Sequence, residues 1–187
     1  MNPKVLIPLA QGCEELEAVT LIDLLRRANI DVITASLTDQ PVKCARNTVI
    51  IADTTLDKVI NEPFDLIVLP GGLPGADNLN ADLRIHQIID RLAAENKLIA
   101  AICAAPKVLL KNGILDGKQV TAYPSALSAF DTSKIKLNEE SVQIDGNIIT
   151  SKGPGTAIDF ALTLIEQLLN EDARKQVEEP LQRNIKH

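Results

Sequence analysis

The chain has 187 residues, 45% hydrophobic and 24% charged, enough to bury one core without crosslinks and ordinary for a single globular domain spanning residues 1–187. Its net charge of −6 and pI near 5.0 argue against direct nucleic-acid binding, and with three Phe, one Tyr and no Trp there is little for bases to stack on. Three cysteines, at positions 13, 44 and 103, are too few and too irregular for a disulfide framework or a paired zinc motif; no metal or cofactor is expected, and a reducing cytoplasm is the natural setting.

The opening MNPKVLIPLA has a single lysine before a short apolar run that leads into acidic residues, too short for a signal peptide or a membrane span. No membrane association is expected. The elements then alternate. Val5 to Leu9 reads as a buried strand, Glu14 to Ala28 as a helix with Leu21, Leu25 and Ala28 on one stripe, and Asp31 to Ser36 as a second strand. Thr38 to Asp53, with Pro41 and a β-rich run from Thr48 to Ala52, suggests a hairpin excursion before a short helix at Leu56 to Ile60. Leu66 to Leu69 is another buried strand, ending in the Gly/Pro cluster PGGLPGAD, which reads as a turn. A helix follows from about Asp82 to Glu95, with Ile85, Ile88, Ile89 and Leu92 inward. Leu98 to Ile102 is a strand and Ala104 to Leu110 a helix. VQIDGNIIT is a hairpin turning at Asp145-Gly146, a long apolar helix enters through Gly-Pro-Gly, and a polar helix starts near Glu171.

Strands alternating with helices in this way predict a parallel sheet covered on both faces, with ligands bound beyond the carboxyl ends of the strands. Three unusual loops fall at such ends: Ala10 to Glu15, Pro70 to Gly75, and Cys103 with its neighbours. Cys103 sits where a strand gives way to a helix, and a helix N-terminus favours a thiolate. A buried structural cysteine is the competing reading of that location. Gly71 and Gly72 lack the P-loop and dinucleotide spacings; their bare backbone suits either an oxyanion hole or a tight turn. Glu14 and Glu15 are expected to complement the dipole of their helix. Glu17, one turn in, is expected to point inward beside the flanking apolar positions Leu16 and Val19, where a protonated carboxyl would support a thiolate.

The segments GCEELEAVT, VKCARN, DLIVLPGGLPGADNL, LIAAICAAP and ITSKGPGTAIDFAL, in this order and spacing, resemble the DJ-1/PfpI superfamily, in its DJ-1-like branch with the ThiJ/YajL-type proteins. The resemblance runs from about residue 3 to the last helix. It implies a flavodoxin-like three-layer sandwich with a mostly parallel central sheet, a homodimer and a nucleophile-elbow cysteine at Cys103. It further implies Glu17 as partner carboxylate, Gly72 and Ala104 as oxyanion-type donors alongside Gly71, and Arg46, assisted by Arg27, in an anion-binding region near the dimer interface.

Ala104 stands where the protease-like branch has a histidine, so no Cys-His dyad is built. Tyr123 takes the place of a histidine found in some members, and His86 and His187 read as solvated. Cys13 is expected at the crevice edge, where demanding disulfide geometry weighs against a resolving-thiol role toward Cys103; Cys44 reads as a packing residue near the dimer surface. The activity implied is cofactor-independent and cysteine-dependent, on reactive α-oxoaldehydes or their early glycation adducts. The alternative is a non-catalytic redox sensor or redox-regulated chaperone that signals through oxidation of Cys103.

Overall fold

The computed structural model describes residues 2–183. From the N-terminus run β1 (Lys4–Leu9), α1 (Glu15–Arg27), β2 (Asp31–Ser36), β3 (Val42–Lys43), β4 (Val49–Ile50), β5 (Thr54–Thr55), α2 (Leu56–Val59), β6 (Leu66–Leu69), α3 (Gly75–Ala81), α4 (Leu83–Ala94), β7 (Leu98–Ile102) and α5 (Pro106–Asn112). After these come β8 (Gln119–Val120), β9 (Lys136–Leu137), β10 (Val142–Asp145), β11 (Ile148–Ser151), α6 (Ala157–Leu168) and α7 (Glu171–Glu178).

Seven strands form the central sheet in the order β10-β11-β7-β6-β1-β2-β5. Every pair is parallel except β10 with β11, the hairpin at Asp145-Gly146. Strands buried on both faces lose the polar alternation of half-exposed ones, which is why β1, β6 and β7 read as plain apolar runs. Their side chains still alternate between layers. Val5, Ile7 and Leu9 join α1 and α6 on one face, while Leu6, Ile67 and Ile99 join α2, α4 and α5 on the other. The fold is therefore the three-layer α/β sandwich that the alternation implied.

The structure departs from the sequence reading in several places. The Gly/Pro cluster holds a helix, α3, whose Gly, Asp and Asn residues are poor helix formers. Its packing decides the matter: Ala76 and Leu79 are fully buried, and a Cβ on Gly75 would lie 2.5 Å from the Cys13 backbone nitrogen. Helix α5 begins at Pro106 instead of Ala104, with the proline at its first turn, where its missing N–H costs nothing. Two-residue strands such as β5, β8 and β9 are too short to leave a periodic signature.

Candidate functional site

Strands β7, β6 and β1 are neighbours in the sheet, so the loops leaving their carboxyl ends meet. Cys103 is the first residue past β7 and has φ 62°, in the left-handed region that side-chain-bearing residues avoid. Two hydrogen bonds hold it there: its N–H donates to the Ser151 carbonyl of β11 at 2.9 Å, and its carbonyl accepts the Tyr123 N–H at 2.9 Å. The turn swings the thiol out of the strand line, leaving Cys103 8% exposed. The N–H groups of Gly72 and Ala104 point at its sulfur.

Gly71 lies between Cys103 and Glu17. A Cβ there would come 2.7 Å from the Cys103 Cβ and 2.8 Å from Glu17 Oε2, and no side chain fits. The Gly71 N–H donates to Glu17 Oε2 at 2.8 Å, so this donor is spent within the protein, while Gly72 lines the cavity. Gly72 has φ 90°, and a Cβ on it would meet the Glu14 nitrogen at 2.4 Å. Glycine is required at both positions, for fit at Gly71 and for conformation as well at Gly72.

Glu17 is completely buried. Among the described residues its Oε1 has no hydrogen-bond partner, which makes that oxygen the natural seat of a proton. Burial, with some help from the charge of Glu14, pushes the carboxyl up to about 7, against the opposing pull of the Gly71 N–H and of Cys103. Burial likewise pushes the Cys103 thiol up to about 12, with the Glu17 charge and hydrogen bond adding to it and the Gly72 and Ala104 N–H groups opposing. The resting site thus holds a thiol beside a carboxyl poised near neutrality, not the standing thiolate expected from a helix N-terminus. The physical reason is that α5 is short and starts three residues later, so its dipole is outweighed by desolvation.

The orientation of α1 also differs in detail. Leu16 and Val19 face outward, half exposed, while Glu17 shares the inward face with Ala18 and Leu21. Glu15 lies in the first turn of α1, as expected for a carboxylate that complements the helix dipole, and it also accepts the N–H groups of Arg46 at 2.9 Å and Thr48 at 3.4 Å, which seats the β3–β4 turn against α1. Against the opposing effect of burial, its own backbone N–H and then those of Arg46 and Thr48 hold the Glu15 carboxyl below its ordinary range. Arg46 thereby reaches the wall of an open cavity of about 430 Å³ that also takes in Glu14, Gly72, Cys103 and Ala104. Among the described residues its guanidinium has no carboxylate partner and donates only to the Ala45 carbonyl, at 3.3 Å. Arg27 is not brought to this cavity. It lies in the last turn of α1 with Nε on Asp23 at 2.8 Å.

Tyr123 lines the cavity, whereas His86 is set against the Asn80 carbonyl at 3.0 Å and His187 lies outside the described residues. Lys107 is a wall residue that the sequence reading passed over; its Nζ is 2.8 Å from Asp77 of α3. Its position in the first turn of α5, the helix that follows Cys103, was the available signal. Cys13 is fully buried and faces Cys44, with 3.5 Å between the sulfurs, so it is not at the crevice edge beside Cys103. No group of three or more His, Cys, Asp or Glu side chains forms a metal site among the described residues.

An elbow cysteine after β7, a glycine pair after β6 and a buried glutamate on α1 form a specific arrangement, and residues 3–167 match the DJ-1/PfpI family. The chain belongs to the DJ-1/PfpI family. It is 41% identical over 181 residues to the Parkinson disease protein 7 homolog of Danio rerio, covering 95% of this chain and 96% of that one. It is 36% identical over 177 residues to the glutathione-independent glyoxalase DJR-1.2 of Caenorhabditis elegans, covering 95% and 94%. The crystal structure of Drosophila melanogaster DJ-1beta superposes with a TM-score of 0.93 at 40% identity, over 97% of this chain and 98% of that one. The sheet order and the Cys103 turn therefore sit in a DJ-1-type framework.

Two stability measurements test this geometry. Because glycine adopts positive φ without penalty, Cys103→Gly should be more stable than Cys103→Ala by roughly 1 kcal/mol in denaturant unfolding; the reverse order would contradict a left-handed residue 103. Glu17 has a folded value raised from its ordinary 4.5 to about 7. Its contribution is fully present below the unfolded value and is lost as pH rises through the folded one, by on the order of 3 kcal/mol. Between about pH 5 and pH 8, the unfolding free energy of the native protein should therefore fall relative to that of Glu17→Gln by this order. Parallel pH profiles for the two proteins would rule out a buried, titrating Glu17.

Proposed function

We propose that this protein is a cofactor-independent, cysteine-dependent enzyme acting on small α-oxoaldehydes or their early adducts with amines and thiols. The observation that carries the reading is the left-handed turn that sets Cys103 beside Gly72 and Ala104, with the buried Glu17 carboxyl directly behind Gly71. A thiol that rests protonated needs a base at the moment of attack, and ionised Glu17 is that base. The Cys103 sulfur adds to the aldehyde carbon as its proton passes to Glu17. The carbonyl oxygen becomes an oxyanion held by Gly72 and Ala104, and the proton held by Glu17 returns to it, giving a hemithioacetal. Glu17, ionised again, then takes the proton from the former aldehyde carbon and delivers it to the neighbouring oxo carbon while the hydroxyl proton passes to the oxo oxygen, leaving a 2-hydroxy thioester. Water cleaves this to a 2-hydroxy acid and restores the thiol. Arg46, on the cavity wall with no carboxylate partner among the described residues, suits an anionic substituent. The Caenorhabditis elegans relative named as a glutathione-independent glyoxalase supports the same chemistry.

A second reading has an observation of its own. The same two N–H groups would hold the oxygens of a Cys103 sulfinate, so oxidation would alter the site without turnover, and the 39% identical Toxoplasma gondii DJ-1 has been solved as oxidized. Steady-state assays with glyoxal and methylglyoxal separate the two readings. For the enzyme, kcat/KM rises with pH through an apparent pKa near 7, set by Glu17. Cys103→Ser should abolish turnover, and Glu17→Gln should lower kcat/KM by at least about a hundredfold and erase the acidic limb. Oxidation-dependent partner binding without turnover would favour the sensor, and an intact acidic limb in Glu17→Gln would remove the glutamate from the mechanism.

The reading includes a homodimer in the cytoplasm. Leu16 and Val19 on α1, with Val49 and Ile51 on the adjoining β4 segment, are large apolar side chains left exposed, Ile51 by 81%. The Glu15 contacts to Arg46 and Thr48 bring these two segments together as one patch. A twofold copy of this chain would cover it. Light scattering at micromolar concentration should return twice the 20.2 kDa chain mass, and Val19→Glu combined with Ile51→Glu should return the monomer. A monomeric native protein would overturn the assignment.

A further inference from the structure

We propose that Cys13 and Cys44 form a second redox site, separate from Cys103, which takes up a two-electron oxidation as an intramolecular disulfide. The proposal goes beyond the activity above and does not depend on it. The sulfurs are 3.5 Å apart, and bond formation requires them to close by about 1.5 Å. The backbones on either side are already fastened to one another. The Gly12 N–H donates to the Lys43 carbonyl and the Ala45 N–H to the Cys13 carbonyl, each at 2.8 Å, so two main-chain hydrogen bonds bracket the pair and hold the facing sulfurs in place.

The environment sets the character of the site. Cys13 is fully buried and Cys44 is 4% exposed. Burial raises both thiols above their ordinary range, which keeps thiolate scarce and the site slow to react. Access comes through β3–β4, a hairpin with only two residues in each strand, the kind of element that opens locally at low cost. A peroxide reaching Cys44 is attacked by its sulfur. The O–O bond breaks, and the leaving hydroxide takes up the thiol proton as water, giving a sulfenic acid. The Cys13 sulfur then displaces the sulfenic hydroxyl, which departs as a second water with the Cys13 proton. In sum, two thiols and hydrogen peroxide give one disulfide and two waters.

The link would join the two sides of the Cys103 cavity. Cys44 is two residues before Arg46 on one wall. Cys13 precedes Glu14 on the other, and its main chain is wedged against Gly72 and Gly75, where added Cβ atoms would lie 2.7 Å and 2.5 Å away. Oxidation thus ties the Arg46 turn to the loop carrying the oxyanion donor, and leaves Cys103 free.

The test uses the full-length Cys103→Ser protein, so that Cys103 cannot contribute. After hydrogen peroxide, the intact mass should fall by two hydrogens, and mapping without reductant should find a peptide pair joining Cys13 to Cys44 that a reductant separates. The oxidised protein should melt higher by roughly 5–10 °C, as expected for closing a loop of about thirty residues. Adding either Cys13→Ala or Cys44→Ser should abolish both effects; using both replacements guards against one failing to fold. Sulfinic acid at Cys44 without the link, a link between Cys44 residues of two copies, two thiols still free after peroxide treatment, or an unchanged melting temperature would each overturn the proposal.

Discussion

The left-handed backbone at Cys103 is the constraint on which the site depends. A strand running on with ordinary dihedrals would have carried the next side chain into a helical layer and buried the sulfur among leucines. The positive φ instead turns it toward the loops of the two adjacent strands. The cost of that conformation, on the order of 1–3 kcal/mol, is met by contacts distant in sequence. Ser151 holds the Cys103 N–H and Tyr123 holds its carbonyl. The strain is thus maintained by β11 and by the segment after β8, and an altered packing of either would be felt at the thiol.

Charge burial is the second determinant. Glu17 sits at 0% exposure with one oxygen bonded to Gly71 and the other unpartnered. Taking an ionised carboxylate out of water without a counter-charge costs more than a single N–H bond returns, so the group shifts its pKa upward. Cys103 is shifted by the same burial and by the same neighbour. Two groups that each resist ionisation, placed side by side, favour one mobile proton between them. That arrangement suits proton transfer better than a permanent thiolate would, because the proton that leaves sulfur has a nearby acceptor matched to neutral pH.

Much of this was legible from residues alone, for identifiable reasons. Strands β1, β6 and β7 are buried on both faces and spell unbroken apolar runs; α1 and α4 carry regular apolar stripes; Asp145-Gly146 is a strong hairpin signal. The order of motifs around Gly71, Gly72 and Cys103 identified the family, and Glu17 was placed inward. What escaped was decided by packing. Helix α3 forms from poor helix formers because Gly75 fits against Cys13. Leu16 and Val19, apolar in sequence, face out, and Glu15 serves the Arg46 turn as well as its own helix.

Local pattern therefore determined the elements, the α/β class and the candidate cysteine, since periodicity, turn residues and motif spacing all act within a few residues along the chain. Tertiary structure alone decided which groups meet. Gly71 and Glu17 are 54 positions apart, and Cys13 and Cys44 are 31 apart; the first pair meets because β1 and β6 are neighbours in the sheet, and the second because main-chain hydrogen bonds seat the β3–β4 hairpin on the loop after β1. Proton affinities followed from the same step: the values near 7 for Glu17 and near 12 for Cys103 are set by desolvation and by neighbouring charges and hydrogen bonds, quantities that exist only once the chain has folded.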